Sequence, residues 1–307
     1  MKIRISTLFL LALLLVSIVP LSAQDSECDD GFRLVEHFMD STCVPDHPQR
    51  VVVLDTGELD GALSLGITPV GAVEAIPGFG LPAYLSEMTS DIEIVGSISE
   101  PNLESILLLE PDLILSNALR HEAIYDELSA IAPTVFTETV GVVWKDNLPI
   151  YADALNRQDA LAIRFAEYQS RINVIREVVP VAETAVSIVR FVPGQNRVMQ
   201  RGSFIGTVID DIGFARPESQ QGEDFMITVS EEQIDLMDGD VIFVSVFGDP
   251  ADTELDAFTN NALWQTLTAV QEDAVYRISD DHWFLGIGFL GANRVLDDIL
   301  ITLSNNS

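Results

Sequence analysis

Between residues 157 and 179, the apolar positions recur with the period of one helix face. The steps are four, three, four, three and four residues along Leu161, Phe165, Tyr168, Ile172, Ile175 and Val179. This spacing forms a single apolar stripe on a continuous helix. Asn156 suits the N-cap position, and Pro180 cannot continue a helix. About 23 residues at ~1.5 Å each span roughly 35 Å, so the pattern predicts one long helix over Arg157–Val179.

On both sides of this helix, short apolar runs alternate with amphipathic segments. The runs predict strands over residues 50–55, 67–73, 94–96, 113–116, 134–136, 185–192, 241–246 and 275–278. The amphipathic segments predict helices over residues 58–65, 103–109, 122–130, 204–212, 231–237, 261–270 and 290–303. This alternation implies parallel strands with right-handed crossovers. We predict an α/β protein of two Rossmann-like lobes with mainly parallel sheets, joined by the long rigid helix across a cleft. The alternative is a single sheet in which that helix is one more surface helix.

A repeated segment supports two related lobes. Residues 102–114 carry a helix cap, a helix, a turn, an aspartate and a buried strand, and residues 230–242 carry the same order. The caps are Asn102 and Ser230, and the aspartates are Asp112 and Asp240. The second lobe is therefore predicted to repeat the architecture of the first, although helix-turn-strand units are common enough to recur by chance.

The first 23 residues have the pattern of a secretory signal peptide. Lys2 and Arg4 precede an apolar run from Leu8 to Val19, and small residues up to Ala23 offer a cleavage site. The run is short for a membrane span. Cys28 lies beyond the cleavage site and is not in position to accept a lipid. We expect an exported protein, soluble in the periplasm or outside the cell after cleavage.

The charge of the chain excludes two classes of partner. The sequence has 16 basic and 48 acidic residues. Removing the predicted signal peptide leaves 14 basic against 48 acidic residues, a net charge of −34. Such a surface repels nucleic acid and anionic membranes.

Cys28 and Cys43 are the only cysteines. Export places them in oxidising surroundings, and only His37 and His47 lie near enough to complete a metal site. A structural disulfide is therefore favoured, and it would stabilise the chain by ~3 kcal/mol in the chain-entropy model.

Four segments together resemble the substrate-binding proteins of iron-siderophore ABC importers. They are RVVVLDTGELDGALSLGITPVGAV at 50–73, NLESILLLEPDLILS at 102–116, SFIGTVIDDIGF at 203–214 and ITVSEEQIDLMDGDVIF at 227–243. The resemblance covers roughly Arg50 to Leu303 and extends to the related cobalamin and haem receptors. It implies two lobes on a rigid helix and a shallow cleft that moves little on binding, so scattering curves with and without ligand should nearly superimpose.

The sequence patterns divide the chain into parts, and the resemblance assigns it a function. The expected parts are a signal peptide over 1–23, a lead-in with the disulfide over 24–49, a first lobe over 50–143, a linking helical segment over 144–180 and a second lobe over 181–307. The implied function is a monomeric receptor that captures a ferric siderophore and delivers it to the permease subunits of an ABC importer. Such a receptor is not an enzyme and needs no cofactor, because the iron stays in its own chelator.

Arginines near strand ends are the first candidates for the binding site. Ligands of open parallel sheets bind beyond the carboxyl ends of the strands. Arg120 follows the strand over 113–116, Arg190 lies near the end of the strand over 185–192, and Arg197 lies in the adjoining turn. Guanidinium groups bind the oxygens of anionic catecholate and carboxylate chelates well. The alternative is that each arginine pairs with a surface carboxylate.

Three aromatic residues are further candidates. Trp283 follows the last predicted strand, where it would cover the flat part of a chelate, and Trp144 precedes the long helix. Tyr84 follows a loop rich in glycine and proline. Packing in the core is the alternative for each.

Two glutamates are candidates for docking to the permease. Glu104 and Glu232 occupy matching positions in the repeated segments, two residues after the caps Asn102 and Ser230. The family uses one glutamate of each lobe, in this context, to contact arginines of the two permease subunits. The alternative is local, since acids in a first helical turn are stabilised by the helix dipole.

Other chemistries have weak support. The histidines His37, His47, His121 and His282 are scattered, which disfavours a bare metal ion, and none has the context of a haem ligand. The chain has no nucleophile elbow and no phosphate-binding loop, and acid pairs such as Asp210–Asp211 and Asp280–Asp281 are interpreted as solvated. Cobalamin or haem as the ligand, or an exported α/β hydrolase using cleft carboxylates, remain the alternatives.

Overall fold

The computed structural model describes residues 28–304. The predicted signal peptide over 1–23 and the end of the predicted second lobe, 305–307, lie outside the described residues. The domain boundaries drawn from the sequence stay predictions.

The described chain begins with a small hairpin that the sequence did not predict. Strand β1 (Phe32–Glu36) pairs antiparallel with β2 (Ser41–Pro45). The predicted disulfide is confirmed, since Cys28 and Cys43 are joined with an S–S distance of 2.03 Å. The Arg33 guanidinium donates to the carbonyl of Ala154 at 2.8 Å and so attaches the hairpin to the segment that links the lobes.

The first lobe is built on a five-stranded sheet whose pairs are all parallel, in the order β5-β4-β3-β6-β7. Its elements are β3 (Val51–Val53), α1 (Thr56–Ser64), β4 (Gly71–Glu74), α2 (Ser86–Thr89), β5 (Glu93–Ser97), α3 (Leu103–Leu108), β6 (Leu113–Asn117), α4 (Ala118–His121), α5 (Tyr125–Ser129) and β7 (Thr134–Thr137). The central strand β3 is buried on both faces, which explains its run of valines. The strand predicted over 67–73 begins only at Gly71, and Pro69 before it has no N–H to donate. The helix predicted over 122–130 is broken at Ile124.

Two helices link the lobes, α6 (Trp144–Leu155) and α7 (Gln158–Val178). The long predicted helix is confirmed within one residue at each end. On its stripe, Leu161, Tyr168, Ile172 and Ile175 are buried. The role predicted for Asn156 was wrong. With φ at 55°, Asn156 takes the left-handed conformation that ends α6, and its side-chain amide donates to the carbonyl of Asp46.

The second lobe has a mixed sheet in the order β10-β9-β8-β11-β12. Its elements are β8 (Val186–Val192), β9 (Gln195–Met199), α8 (Phe204–Ile212), β10 (Met226–Thr228), β11 (Val241–Val246), α9 (Leu255–Thr259), α10 (Thr268–Gln271), β12 (Val275–Arg277) and α11 (Phe289–Ser304). Strands β8, β11 and β12 are parallel, whereas β9 and β10 are antiparallel to their neighbours. The two-lobed α/β fold is thus confirmed, and the second sheet is less parallel than the first.

The helix predicted over 261–270 was wrong. Leu267 is extended and separates a short turn at Trp264–Thr266 from α10. The Asp238 carboxylate accepts the backbone N–H of Thr268 at 2.9 Å and its hydroxyl at 2.8 Å. This carboxylate caps α10 from another segment of the chain and so fixes the break.

The repeated segment takes the same place in both lobes. Strand β6 lies beside β3, and β11 lies beside β8. Asp112 receives the backbone N–H groups of Gln49 at 2.7 Å and Arg50 at 2.8 Å, just before β3. Asp240 receives the N–H of Ala185 at 2.7 Å, just before β8. The two aspartates therefore make the same contact, each with the residues just before the neighbouring strand. The helical parts differ, since α3 is an α-helix and Glu231–Met237 is a 3₁₀ turn.

A buried carboxylate joins the lobes. Asp60 of α1 is fully buried and accepts the backbone N–H groups of Leu290 at 3.0 Å and Gly291 at 2.8 Å. Both N–H groups belong to the first turn of α11, where a helix offers them no acceptor of its own. Helix α11 follows the second sheet. The Tyr84 hydroxyl also donates to Asp60 at 2.9 Å. The two lobes are thus held by a specific contact in addition to α7, and the small interlobe motion expected from the sequence stays a prediction.

We expect the burial of Asp60 to make the free energy of unfolding depend on pH. Burial raises the pKa of Asp60 from 3.8 to about 6. A carboxyl whose pKa is higher in the folded state favours folding below its unfolded pKa, and it loses that contribution as the pH rises through the folded value. Between pH 4 and pH 6, Asp60 should therefore cost the fold on the order of 3 kcal/mol. Asp60→Asn should flatten this decline in urea unfolding curves, whereas the control Asp297→Asn, at a half-exposed site, should keep it. An unchanged decline in Asp60→Asn would contradict the assignment.

Candidate ligand-binding cleft

A cleft of about 490 Å³ lies between the lobes. Every strand of the first sheet contributes to it from its carboxyl end. The contributing residues are Asp55 and Thr56 after β3, Ala75 after β4, Ile98 and Ser99 after β5, Leu119 and Arg120 after β6, and 140–142 after β7. This is the edge at which open parallel sheets bind their ligands.

The second lobe closes the cleft with residues from both parts of its sheet. Arg190 of β8 and Met199 of β9 face it, and so does the start of α8 at Ser203. Phe225 comes just before β10, and residues 283–285 come after β12. Both lobes must therefore keep their relative position for the cleft to exist.

Apolar side chains form much of the rim. Leu119 is 58% exposed and Val142 is 41% exposed on the first lobe, and Phe225 is 50% exposed on the second lobe. Large apolar groups that face each other across an open cleft are candidates for covering an apolar ligand surface. These residues are not among the candidates taken from the sequence, although the positions of Leu119 and Val142 after strand ends were a usable signal.

Arg190 lies deep in the cleft and is held on three sides. Its guanidinium makes a bidentate pair with the Asp280 carboxylate, with Nε–Oδ1 at 2.7 Å and Nη2–Oδ2 at 2.6 Å. The rings of Phe284 and Phe247 lie at 4.6 and 5.0 Å from its central carbon, and the Ser245 hydroxyl donates to Asp280 at 3.0 Å. The interpretation of Asp280 as a solvated acid was wrong, because Asp280 is nearly buried as the partner of this arginine.

Arg120 lies on the opposite wall and is more exposed. Its Nε lies 3.2 Å from Asp55 Oδ2. Asp55 is buried, and its Oδ1 accepts the N–H of Thr56 at 2.6 Å at the start of α1. Asn117 contacts both residues, because its side-chain oxygen accepts the backbone N–H of Arg120 at 3.1 Å and its amide donates to Asp55 at 3.3 Å.

A second buried acid lies beneath this pair. Glu58 Oε1 accepts from the Asn117 amide at 3.1 Å and from the Tyr151 hydroxyl at 3.0 Å. Burial, reinforced by the nearby charge of Asp55, raises the pKa of Glu58 to about 7. Glu58 Oε2 is buried without a hydrogen-bond partner among the described residues. This arrangement suits a carboxyl that carries a proton near neutral pH.

The Trp283 side chain lies just under the surface of the cleft wall. The side chain is fully buried, and its Nε1–H donates to Asp298 at 2.8 Å. Its ring packs at 4.9 Å from Phe243. Trp283 thus supports the wall on which the partly exposed Phe284 lies.

Three of the candidates taken from the sequence do not line the cleft. Trp144 is 2% exposed and packs edge-to-face against Tyr168, Phe204 and Phe289, so it belongs to the core between the lobes. Tyr84 is occupied by the interlobe contact with Asp60. Arg197 lies opposite Arg190 in the sheet but donates to Gln195 at 3.0 Å, outside the lining.

The described residues lack two further features. Residues 28–304 contain no group of three or more His, Cys, Asp or Glu side chains arranged to hold a metal ion. No helix in the same range is long and apolar enough to cross a bilayer.

Comparison with known proteins agrees with this geometry. A family described as periplasmic binding protein matches residues 51–282. A probable siderophore-binding lipoprotein of Bacillus subtilis (strain 168) is 37% identical over 317 residues, which cover 97% of this chain and 98% of the relative. The achromobactin-binding periplasmic protein of Dickeya dadantii (strain 3937) is 31% identical over 262 residues, which cover 82% of this chain and 85% of the relative.

A solved structure is similar over most of its length. Staphylococcus aureus SirA complexed with staphyloferrin B superposes with a TM-score of 0.77 at 32% identity, covering 88% of this chain and 98% of SirA. The resemblance to iron-siderophore receptors seen in the sequence is thus confirmed. Because the family match spans more than half of the sequence and one relative matches nearly all of it, this chain belongs to the periplasmic binding protein family.

Proposed function

We propose that the protein is an extracytoplasmic receptor that captures a ferric siderophore and delivers it to an ABC importer. The observation that carries the proposal is the cleft, to which both lobes contribute one arginine and apolar walls. Its volume of about 490 Å³ falls in the range of sites that enclose a small molecule. Relatives whose names include siderophore-binding and achromobactin-binding, and the staphyloferrin B complex of SirA, support this ligand class.

The receptor performs no chemistry on its ligand. The iron remains in its chelator, and the protein binds the outside of the complex. The described lining supports a chelate over haem, because it contains no histidine, tyrosine or cysteine to serve as an axial ligand, and its one methionine, Met199, is fully buried. Nothing in the cleft favours cobalamin or a hydrolytic reaction over a chelate.

Delivery requires a surface for the permease, and Glu104 and Glu232 are our candidates. Both side chains are exposed. Glu104 lies in the first turn of α3, which comes after β5, and Glu232 lies in the 3₁₀ turn that comes after β10. Glu232 also accepts the Ser230 hydroxyl at 2.7 Å, and this bond lowers the pKa of its carboxyl. A monomer with one such carboxylate on each lobe suits a transporter made of two related subunits.

A calorimetric titration with ferric siderophores tests the location of the site. Leu119→Ala removes apolar area that a bound chelate would cover, and we expect affinity to fall about tenfold, since ~60 Å² at ~25 cal/mol per Å² is worth roughly 1.5 kcal/mol. Leu108→Ala is the matched control, because Leu108 is also in the first lobe and is 76% exposed but lies outside the cleft. Equal affinities for the two variants would contradict this cleft as the site.

A further inference from the structure

The charges of the cleft cancel. Its lining contains three charged residues, Asp55, Arg120 and Arg190. Asp280 lies directly behind Arg190 and pairs with it through two hydrogen bonds, and Asp55 pairs with Arg120. Two cations and two anions leave no net charge to attract an anionic ligand. This differs from the expectation drawn from the sequence, in which the arginines were available to bind anionic oxygens.

The surroundings add more negative charge than positive charge. Exposed acids flank the lining segments, with Glu138 just before residues 140–142 and with Glu223 and Asp224 just before Phe225. Of the nearby arginines, Arg201 lies 3.5 Å from the Asp210 carboxylate. Arg197 lies outside the lining and donates to the neutral Gln195, but its charge acts on Arg190, so it offsets one of the three exposed acids.

Separating either lining arginine from its partner would be costly. The Arg190–Asp280 pair is about nine-tenths buried on both sides, and breaking a buried pair leaves an uncompensated charge. Asp55 is buried as well, so it would remain without its cation if a ligand oxygen took Arg120. A ligand of high negative charge would therefore bind beside two carboxylates that keep their places, and their charge would repel it.

We infer that the cleft selects ferric chelates of low net charge with apolar outer surfaces, such as hydroxamate complexes, over trianionic complexes such as tricatecholates. The inference rests on the proposed function and narrows its ligand class. The rim of Leu119, Val142 and Phe225 supplies the apolar contacts. The two arginines still donate their remaining N–H groups to neutral carbonyl and hydroxamate oxygens without losing their partners.

Two chelators on one scaffold test the inference. Tripodal chelators built on tris(2-aminoethyl)amine, one with three hydroxamate arms and one with three catecholate arms, form ferric complexes that differ by three charges. Calorimetry with the wild-type protein should give a Kd at least tenfold lower for the hydroxamate complex. The preference should shrink as salt is added, because the net charge of −32 repels the trianion and salt screens that repulsion. A preference for the hydroxamate complex of less than tenfold in low salt, or a preference for the catecholate complex, would overturn the inference.

A charge variant separates electrostatics from shape. Ser99 is exposed on the lining, and Ser99→Lys adds one positive charge without touching the core. We expect the ratio of the two Kd values to shift about tenfold toward the catecholate complex, because a cation acts more strongly on a trianion than on a neutral complex. Ser99→Gln controls for side-chain size. An unchanged ratio in Ser99→Lys would overturn the role of charge. If neither ferric complex binds while cobalamin or haem does, the proposed function itself fails, and this inference fails with it.

Discussion

Replacing Arg190 with methionine is expected to lower the free energy of unfolding by about 3–5 kcal/mol, because Asp280 is left as a buried charge without its partner. The change also removes the contacts of the guanidinium with Phe247 and Phe284. Urea unfolding at neutral pH measures the loss. No other ion pair among the described residues is as deeply buried on both sides.

The double variant Arg190→Met with Asp280→Asn identifies the cause. With no charge left in the cavity, most of the lost stability should return. Arg171→Met is the matched control, because the Arg171–Asp297 pair is half-exposed and should contribute less than about 1 kcal/mol. A loss in Arg190→Met as small as that in Arg171→Met would contradict the buried pair. The folded double variant also allows ligand affinity to be measured without Arg190.

Replacing both docking candidates, Glu104→Gln with Glu232→Gln, is expected to abolish most uptake through the cognate importer. The two side chains are exposed and are not part of the cleft lining, so folding and ligand affinity should be close to those of the wild type. Uptake of radioactive iron by cells that carry each variant gives the measurement. The single variants should show smaller losses, because each removes the contact with one permease subunit.

Two other exposed acids provide the control for net charge. Glu127→Gln with Glu272→Gln removes one exposed carboxylate from each lobe and should leave uptake unchanged. If the Glu104/Glu232 double variant transports as well as this control, both residues would return to the role of acids at the start of helical turns.

The architecture was largely predictable because it depends on local pattern. Helix α8 and strand β11 have the predicted bounds, and α7 differs by one residue at each end. The missed elements lack such a pattern. Strands β1, β2, β9 and β10 alternate weakly and pair antiparallel within hairpins or at a sheet edge, and α6 carries Pro149 in its interior.

The site was only partly predictable because exposure depends on distant partners. Arg120 and Arg190 line the cleft, as the rule for strand ends predicted. The sequence gives no sign that Arg190 pairs with Asp280, 90 positions away, or that Trp144 is covered by rings from three other helices. The contact of Asp60 was equally unpredictable, since its partners Leu290 and Gly291 lie 230 and 231 positions away.

Competitive binding followed by native mass spectrometry tests the central claim most directly. The mature protein is incubated with an equimolar mixture of ferric siderophores, cobalamin and haem, and it is then desalted and weighed intact. We predict a mass increase equal to one ferric chelate with its iron per chain, and the same increase for Leu108→Ala. A mass increase equal to cobalamin or haem, or no increase at all, would contradict the proposal that this receptor captures a ferric siderophore.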